Sequence, residues 1–179
     1  MDPVDPRYCP RCGVPIGRRE VAGVPRPACD RCDFVHFADP KLAVVVLVES
    51  GDGSLLYTKR NHDPMLGAWA WPGGWVDRGE VVEAAAVREV REETGLEIEL
   101  RDLLGVFSRA GEPAVLIAYR ARVVRGQPRP GPEAHAVQFF APDALPPPAF
   151  PSDAEILSVW RSRRRRGIDP QLTPSEGRS

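Results

Sequence analysis

Glu89, Glu92 and Glu93 crowd into one short run, Arg88-Glu89-Val90-Arg91-Glu92-Glu93. On a helix each residue turns by about 100°, so steps of three and four residues return to the same side. The three carboxylates would then share a face, where like charges repel by roughly a few tenths of a kcal/mol per pair. Oxygen donors gathered at that cost suit a hard divalent cation, Mg²⁺ or Mn²⁺. The competing reading is a solvated amphipathic helix with Arg88 and Glu92 paired one turn apart. A second set of residues carries softer ligand chemistry. Cys9-x2-Cys12 and Cys29-x2-Cys32 are separated by 16 residues. Two such knuckles present four thiolates to one tetrahedral Zn²⁺ at about 2.3 Å each. Four thiolates leave no open coordination position, so a structural rather than chemical role is expected. Disulfides compete with this reading and are disfavoured in a reducing compartment. A redox pair is also open, although neither pair opens a helix after a strand.

These residues must be positioned by a chain of 179 residues, enough for one ordinary domain and a small appendage. A net charge of −1 gives no global attraction to nucleic acid or membrane. No apolar run has the length of a membrane span. The stretch Met1–Gly13 lacks the basic and apolar regions of an export signal, so a cytoplasmic location is expected. The chain divides into an N-terminal zinc ribbon over 1–38, a larger domain over 39–166, and a polar, disordered tail over 167–179. Residues 41–48, KLAVVVLV, read as a buried strand, Gly51-Asp52-Gly53 as a turn, and 54–60 as its partner. Residues 61–73 read as a loop. A helix is predicted from near Glu80 to Gly95, which closes it as a C-terminal cap. Further strands are predicted over 96–108, 114–125 and 135–141. A last helix follows over 152–166, with Ser152 as its N-cap and Ile156, Leu157 and Trp160 on one face. Strands around one central helix and before another suggest an α/β fold, a mixed sheet between helices.

Residues 74–96, GWVDRGEVVEAAAVREVREETGL, resemble the Nudix box, G-x5-E-x7-R-E-U-x-E-E-x-G-U with U a bulky aliphatic, at every fixed position. With ordinary residue usage a chance match in a chain this long has a probability of roughly 1 in 10⁷. The resemblance implies an α/β/α Nudix sandwich that hydrolyses a nucleoside diphosphate linked to another group, with Mg²⁺ or Mn²⁺ as cofactor. By motif position Glu92 and Glu93 look like the principal metal ligands, and Glu89 like a further ligand or the base. The Gly73 carbonyl resembles a backbone ligand from the turn before the helix. Arg88 would orient the carboxylates. Glu80 looks like a helix-start residue favoured by the dipole, and Gly74 and Gly95 like positions of permissive backbone. Glu133, with Glu112 second, is the candidate for an extra catalytic carboxylate from a downstream loop. Arg60 is a candidate for phosphate binding and Trp69 for substrate binding, whereas Trp71 is expected in the core.

Residues 9 to about 160 resemble the zinc-ribbon Nudix hydrolases. One branch acts on NADH and NAD-capped RNA and carries an SQPWPFPxS motif that is missing here. Pro130-Gly131-Pro132-Glu133 and Ala149-Phe150 match the layout of the branch acting on ADP-ribose and FAD, and Pro113 lies near the place where ADP-ribose enzymes have a proline. The resemblance therefore implies cleavage of ADP-ribose or FAD to AMP. NADH or NAD-capped RNA hydrolysis is the alternative, as is a nucleic-acid-binding regulatory role using the arginine run 161–166. A homodimer with no membrane partner is implied as well.

Overall fold

The computed structural model describes residues 5–166; the tail expected over 167–179 lies outside the described residues. The chain separates into two compact units, one up to Pro40 and one from Lys41 onward.

The first unit is a hairpin of β1 (Gly17–Val21) and β2 (Val24–Ala28), in register from Gly17↔Ala28 to Val21↔Val24. A knuckle stands at each end of it. Cys9 N–H donates to Val14 O at 2.8 Å, and Cys29 N–H to Phe34 O at 2.9 Å, so each Cys-x2-Cys wraps into a tight turn. The four Sγ atoms lie within 4.8 Å of one another. Neighbouring sulfurs are 3.5 Å (Cys12–Cys29), 3.6 Å (Cys9–Cys32) and 3.8 Å (Cys12–Cys32) apart. A tetrahedron with Zn–S bonds of about 2.3 Å has sulfurs about 3.8 Å apart. Disulfide sulfurs would be about 2.0 Å apart. The geometry therefore fits one tetrahedral zinc, and all four cysteines are free thiols.

In the second unit the β-branched run becomes β3 (Lys41–Glu49), followed by β4 (Leu55–Arg60). The two strands share a single rung, Glu49↔Leu55, and then diverge. The gap is filled differently on each strand. β3 takes the short β6 (Gly73–Trp75), from Ala43↔Trp75 to Val45↔Gly73. β4 takes β5 (Trp69–Ala70) and β9 (Ala134–Phe140), both antiparallel. On its other side β3 runs parallel to β8 (Ala114–Arg125) over Lys41↔Ala114 to Glu49↔Arg122, and β8 pairs antiparallel with β7 (Glu97–Ser108). The sheet is mixed, as expected. The segment 61–73 is less irregular than its composition suggested, because β4 recruits Trp69–Ala70 as a strand.

Side chains alternate across a strand, and β3 shows what each face meets. Val44, Val46 and Val48 join Ala85, Ala86 and Val90 of α1 (Val82–Thr94) in one core. Leu47 joins Ile156 and Trp160 of α2 (Pro151–Arg166) in the other. The sheet lies between two helices. No helix among the described residues is long and apolar enough to cross a membrane.

Both helices begin differently from expectation. α1 starts at Val82 behind an N-cap, Val81, that makes no side-chain cap hydrogen bond. Glu80 precedes the helix, because its carboxylate is occupied by Arg88 and by Asp77 N–H rather than by the first turn. The far end is as predicted: Gly95 takes the left-handed conformation, φ 69°, and returns its N–H to Arg91 O at 2.9 Å. In α2, Ser152 is inside the helix and does not cap it. Pro151 opens the first turn, where its missing N–H costs nothing. Asp153 reaches back instead, its Oδ2 accepting from Ala149 N–H at 3.0 Å and Phe150 N–H at 2.9 Å.

α2 is pinned by a buried ionic network. Asp102, 3% exposed, accepts from Arg120 Nε at 2.5 Å and from Arg163 Nη1 at 2.8 Å. Arg163 also donates to Leu103 O and Leu104 O. Trp160 Nε1 donates to Glu49 Oε1 at 2.6 Å. Removing one partner of a buried charge leaves the other under-satisfied. Arg163→Met is expected to destabilise the fold by about 2 kcal/mol, read as a lower urea midpoint at unchanged slope.

Candidate active site

Between β6 and α1 the chain turns through Asp77–Glu80, and this turn sets Gly74 directly over Glu89. A Cβ at Gly74 would lie 2.5 Å from the Glu89 carboxyl carbon. Close approach of a carboxylate, rather than an unusual φ, is what demands glycine here.

Arg88 organises the acidic face. Its Nε and Nη2 clasp Glu80 at 2.8 and 2.9 Å, and Nη1 donates to Glu89 Oε1 at 2.8 Å and Glu92 Oε2 at 3.1 Å. Nη2 also reaches Trp75 O at 3.1 Å. One planar fork thus ties the turn to the helix, a task suited to guanidinium and not to a point-charge ammonium. The Arg88 hydrogen bond holds the Glu80 carboxyl down to about 2. Arg88→Lys keeps the charge but loses the fork. It is expected to lower kcat/KM by about 10²-fold through misplacement of Glu89 and Glu92. A near wild-type rate with intact thermal stability would contradict that role.

Glu93 sits deeper. Thr58 Oγ1 donates to its Oε2 at 3.3 Å, and it also accepts from Gly73 N–H. Burial pushes its carboxyl up to about 8, the Glu89 carboxylate adds to the rise, and the Gly73 and Thr58 donors oppose it. Burial likewise raises Glu89, against the pull of Arg88 and with the charges of Glu92 and Glu133 behind it. No Lys or Arg pairs with Glu93 among the described residues. The glutamates are not drawn as tightly together as the cysteines, since Arg88 holds Glu89 and Glu92 on its own fork. A buried, cation-free carboxylate beside two others, all oxygen donors, fits a hard divalent ion.

The loop between β8 and β9 docks on the end of α1 by its backbone. Arg129 N–H donates to Thr94 O at 2.8 Å and Gly131 N–H to Glu93 O at 2.9 Å. Gly131 lies so close that a Cβ would collide with Glu92 O. This contact carries Glu133 into the wall of the cavity that Glu93 also lines. The cavity, of about 630 Å³, contains Glu112 as well. Arg60 lines it, its Nη2 2.9 Å from His62 Nε2 and its guanidinium 5.4 Å from the Phe150 ring centroid. His62 Nε2 is in turn 3.9 Å from Glu133.

The two tryptophans exchange places. Trp69 packs edge-on against Phe140, centroids 5.0 Å apart, and lies off the cavity wall. Trp71, 5% exposed, stacks tilted on Tyr57 at 4.0 Å and belongs to the core as expected, yet one side of it lines the cavity. Both tryptophans pack in the cluster around Tyr57, and Trp71 alone of the two reaches the cavity wall. Thr58 and His62 are given no role by the sequence, and Phe150 figures there only as part of the Ala149-Phe150 layout. No local motif marks Thr58 or His62, because each reaches the site from the strand β4 or the loop after it.

The NUDIX domain matches residues 39–160 of this chain. The chain belongs to the Nudix hydrolase family. It is 36% identical over 129 residues to an ADP-ribose pyrophosphatase of Methanocaldococcus jannaschii, covering 70% of this chain and 76% of that one. It is 31% identical over 169 residues to the NAD-capped RNA hydrolase NudC of Pseudomonas aeruginosa, covering 93% of this chain but only 59% of the relative's length. Among solved structures, a Nudix hydrolase from Nitrosomonas europaea superposes with a TM-score of 0.84 at 28% identity, over 93% of this chain and 96% of the other. The residues that Arg88 ties together, Glu80, Glu89 and Glu92, lie within the matched domain, and the cavity lies beside them.

Proposed function

We propose that this protein hydrolyses the diphosphate linkage of ADP-ribose or FAD, releasing AMP. The observation that carries the reading is the cavity. It joins the Glu93–Glu133 end to aromatic walls at Trp71 and Phe150, and its volume lies in the range of roughly 300–1,000 Å³ typical of small-molecule sites. One relative, matched over 76% of its own length, is an ADP-ribose pyrophosphatase.

Mg²⁺ or Mn²⁺ fits Glu89, Glu92, Glu93 and the Gly73 carbonyl, where it would neutralise the diphosphate oxygens and acidify the attacking water. The chain's own residues do the rest. Arg88 fixes Glu89 and Glu92, and Thr58 and the Gly73 N–H fix Glu93. Glu133 serves as the base that takes the water proton. Arg60, held by Phe150 and His62, faces the cavity as a partner for phosphate oxygens. The water oxygen bonds to phosphorus, the P–O–P bridge breaks, and ADP-ribose yields AMP and ribose 5-phosphate. The four thiolates of Cys9, Cys12, Cys29 and Cys32 hold a structural Zn²⁺.

The nucleic-acid-binding reading rests on the arginine run 161–166, and the capped-RNA reading on the NudC relatives. Arg163 is committed to Asp102, Arg161 donates to Pro142 O, and Arg164 lies over the Trp160 ring at 5.2 Å. Arg163 thus braces α2, while Arg161, Arg164 and Arg165 are exposed. The deciding experiment is AMP release from ADP-ribose, FAD, NADH and NAD-capped RNA, with Mg²⁺ and with chelator. Mg²⁺-dependent AMP from ADP-ribose or FAD is expected. Turnover of capped RNA alone would overturn the reading.

A further inference from the structure

One wall of the cavity is built by the first turn of α2. Ser152 and Asp153 line it there, although they are only 8% and 6% exposed. Polar side chains so thoroughly buried are ordinarily bonded. Asp153 Oδ2 is, to two backbone N–H groups. Its Oδ1 has no partner among the described residues, and neither has the Ser152 hydroxyl. Neither atom is sealed off from solvent space, so the small exposed area of both residues opens on the cavity they line. Ser152 is not needed as a helix cap, since Asp153 performs that task.

This wall is linked to Glu133 by contacts already described. Glu133 approaches His62, His62 bonds Arg60, and Arg60 packs on Phe150, whose N–H is bound by Asp153. With phosphate oxygens beside Arg60, the nucleoside half of a substrate would extend past Phe150 toward Asp153. Trp71 and Phe150 offer the aromatic surface on which a flat base packs. What such a base then meets is one acceptor-only oxygen and one hydroxyl that can donate.

We propose that Ser152 and Asp153 read the base of the substrate, and that they select a purine with an exocyclic amine beside a ring nitrogen. Asp153 Oδ1 accepts from the amine and the Ser152 hydroxyl donates to the ring nitrogen. Adenine has that pattern. A 6-oxo purine puts a carbonyl oxygen where the amine was, facing the carboxylate, and leaves a buried acceptor without a donor. A site built around a hydrogen bond rejects an analogue lacking it far better than an apolar pocket rejects a change of size. The inference rests on the ADP-ribose reading and adds the determinant of base choice to it.

The test compares kcat/KM for ADP-ribose and for its hypoxanthine analogue, IDP-ribose, in the wild-type enzyme, Ser152→Ala and Asp153→Asn. Wild type is expected to prefer ADP-ribose by at least tenfold. Asp153→Asn keeps an oxygen for the Ala149 and Phe150 N–H groups and offers an amide in place of the free carboxylate oxygen. It should bring the preference near unity, mainly through a higher KM for ADP-ribose, with kcat changed much less. Ser152→Ala leaves the cap intact and should reduce the preference severalfold. It therefore decides the question even if Asp153→Asn folds poorly. Equal wild-type turnover of both substrates would overturn the inference and leave the substrate reading standing, as would variants that lose both activities in parallel. Failure of wild type to cleave ADP-ribose, IDP-ribose or FAD, while cleaving another nucleotide, would overturn the substrate reading and this inference with it.

Discussion

Glu93→Gln is expected to lower kcat by roughly 10³-fold while leaving the protein folded. The reason lies in what surrounds the carboxylate. Thr58 and the Gly73 N–H both donate to it, and no Lys or Arg neutralises it among the described residues. Glutamine can accept those same bonds, so the structural duty survives. What disappears is the negative charge, and with it the attraction for a divalent ion. The stability response separates this account from simple damage. Burial raises the Glu93 carboxyl to about 8 in the folded protein, well above its ordinary 4.5. The protonated form is therefore the one that favours folding. Its contribution is complete below pH about 4.5 and is lost as pH rises through about 8. Glutamine mimics the neutral form at every pH. In chelator, Glu93→Gln should melt close to wild type near pH 4.5 and above it at pH 8 to 9. Saturating Mg²⁺ should raise the wild-type melting temperature at pH 8 and leave the variant nearly unmoved. Near wild-type turnover, or a variant less stable than wild type in chelator at pH 8, would sink the assignment.

How far the residues alone foretold this arrangement depends on the range of each interaction. The shared face of Glu89, Glu92 and Glu93 follows from helical rotation, and α1 and its Gly95 cap appear where that rotation required. The thiols converge because a Cys-x2-Cys turn is local and the hairpin between the two turns is short. The alternation of β3 between its two helices was implicit in KLAVVVLVE, which has no polar face to turn to water. Longer reaches were not legible. Glu80 was assigned to the helix dipole because sequence spacing shows neighbours one turn away, whereas its partner Arg88 reaches it from two turns on. Asp153 and Ser152 are adjacent residues with comparable capping propensity, and only the presence of Pro151 at the helix start decides between them. Trp69 and Trp71 share the cluster around Tyr57 and only Trp71 reaches the cavity wall, a difference that composition does not announce. Thr58 and Phe150 meet Glu93 and Arg60 through tertiary packing, for which the sequence has no period.

Metal removal from the N-terminal unit should have the opposite signature to Glu93→Gln, loss of fold with retention of chemistry. Among the described residues up to Pro40 the buried apolar positions are Cys9, Pro27, Ala28 and Cys29. Among the described residues of that unit no Leu, Ile, Val or Phe is buried, so their hydrophobic contribution is a small fraction of that in the β3 cores. A two-stranded hairpin is at best marginal in water. Four thiolates at tetrahedral spacing can supply what is missing, since structural zinc contributes about 10–16 kcal/mol to small domains of this kind. Cys12→Ser, or incubation with a strong chelator, is therefore expected to release one zinc per chain and to abolish amide protection across Gly17–Ala28. The cavity is lined by residues from Ala43 to Glu155, and the cores around β3 need no thiolate. Hydrolysis measured in Mg²⁺ should accordingly continue at a similar rate in Cys12→Ser. Hairpin protection that persists without bound metal would show that the ribbon folds by other means. Loss of turnover in step with zinc release, with the β3 core still protected, would show that the ribbon does more for the Nudix site than fold beside it.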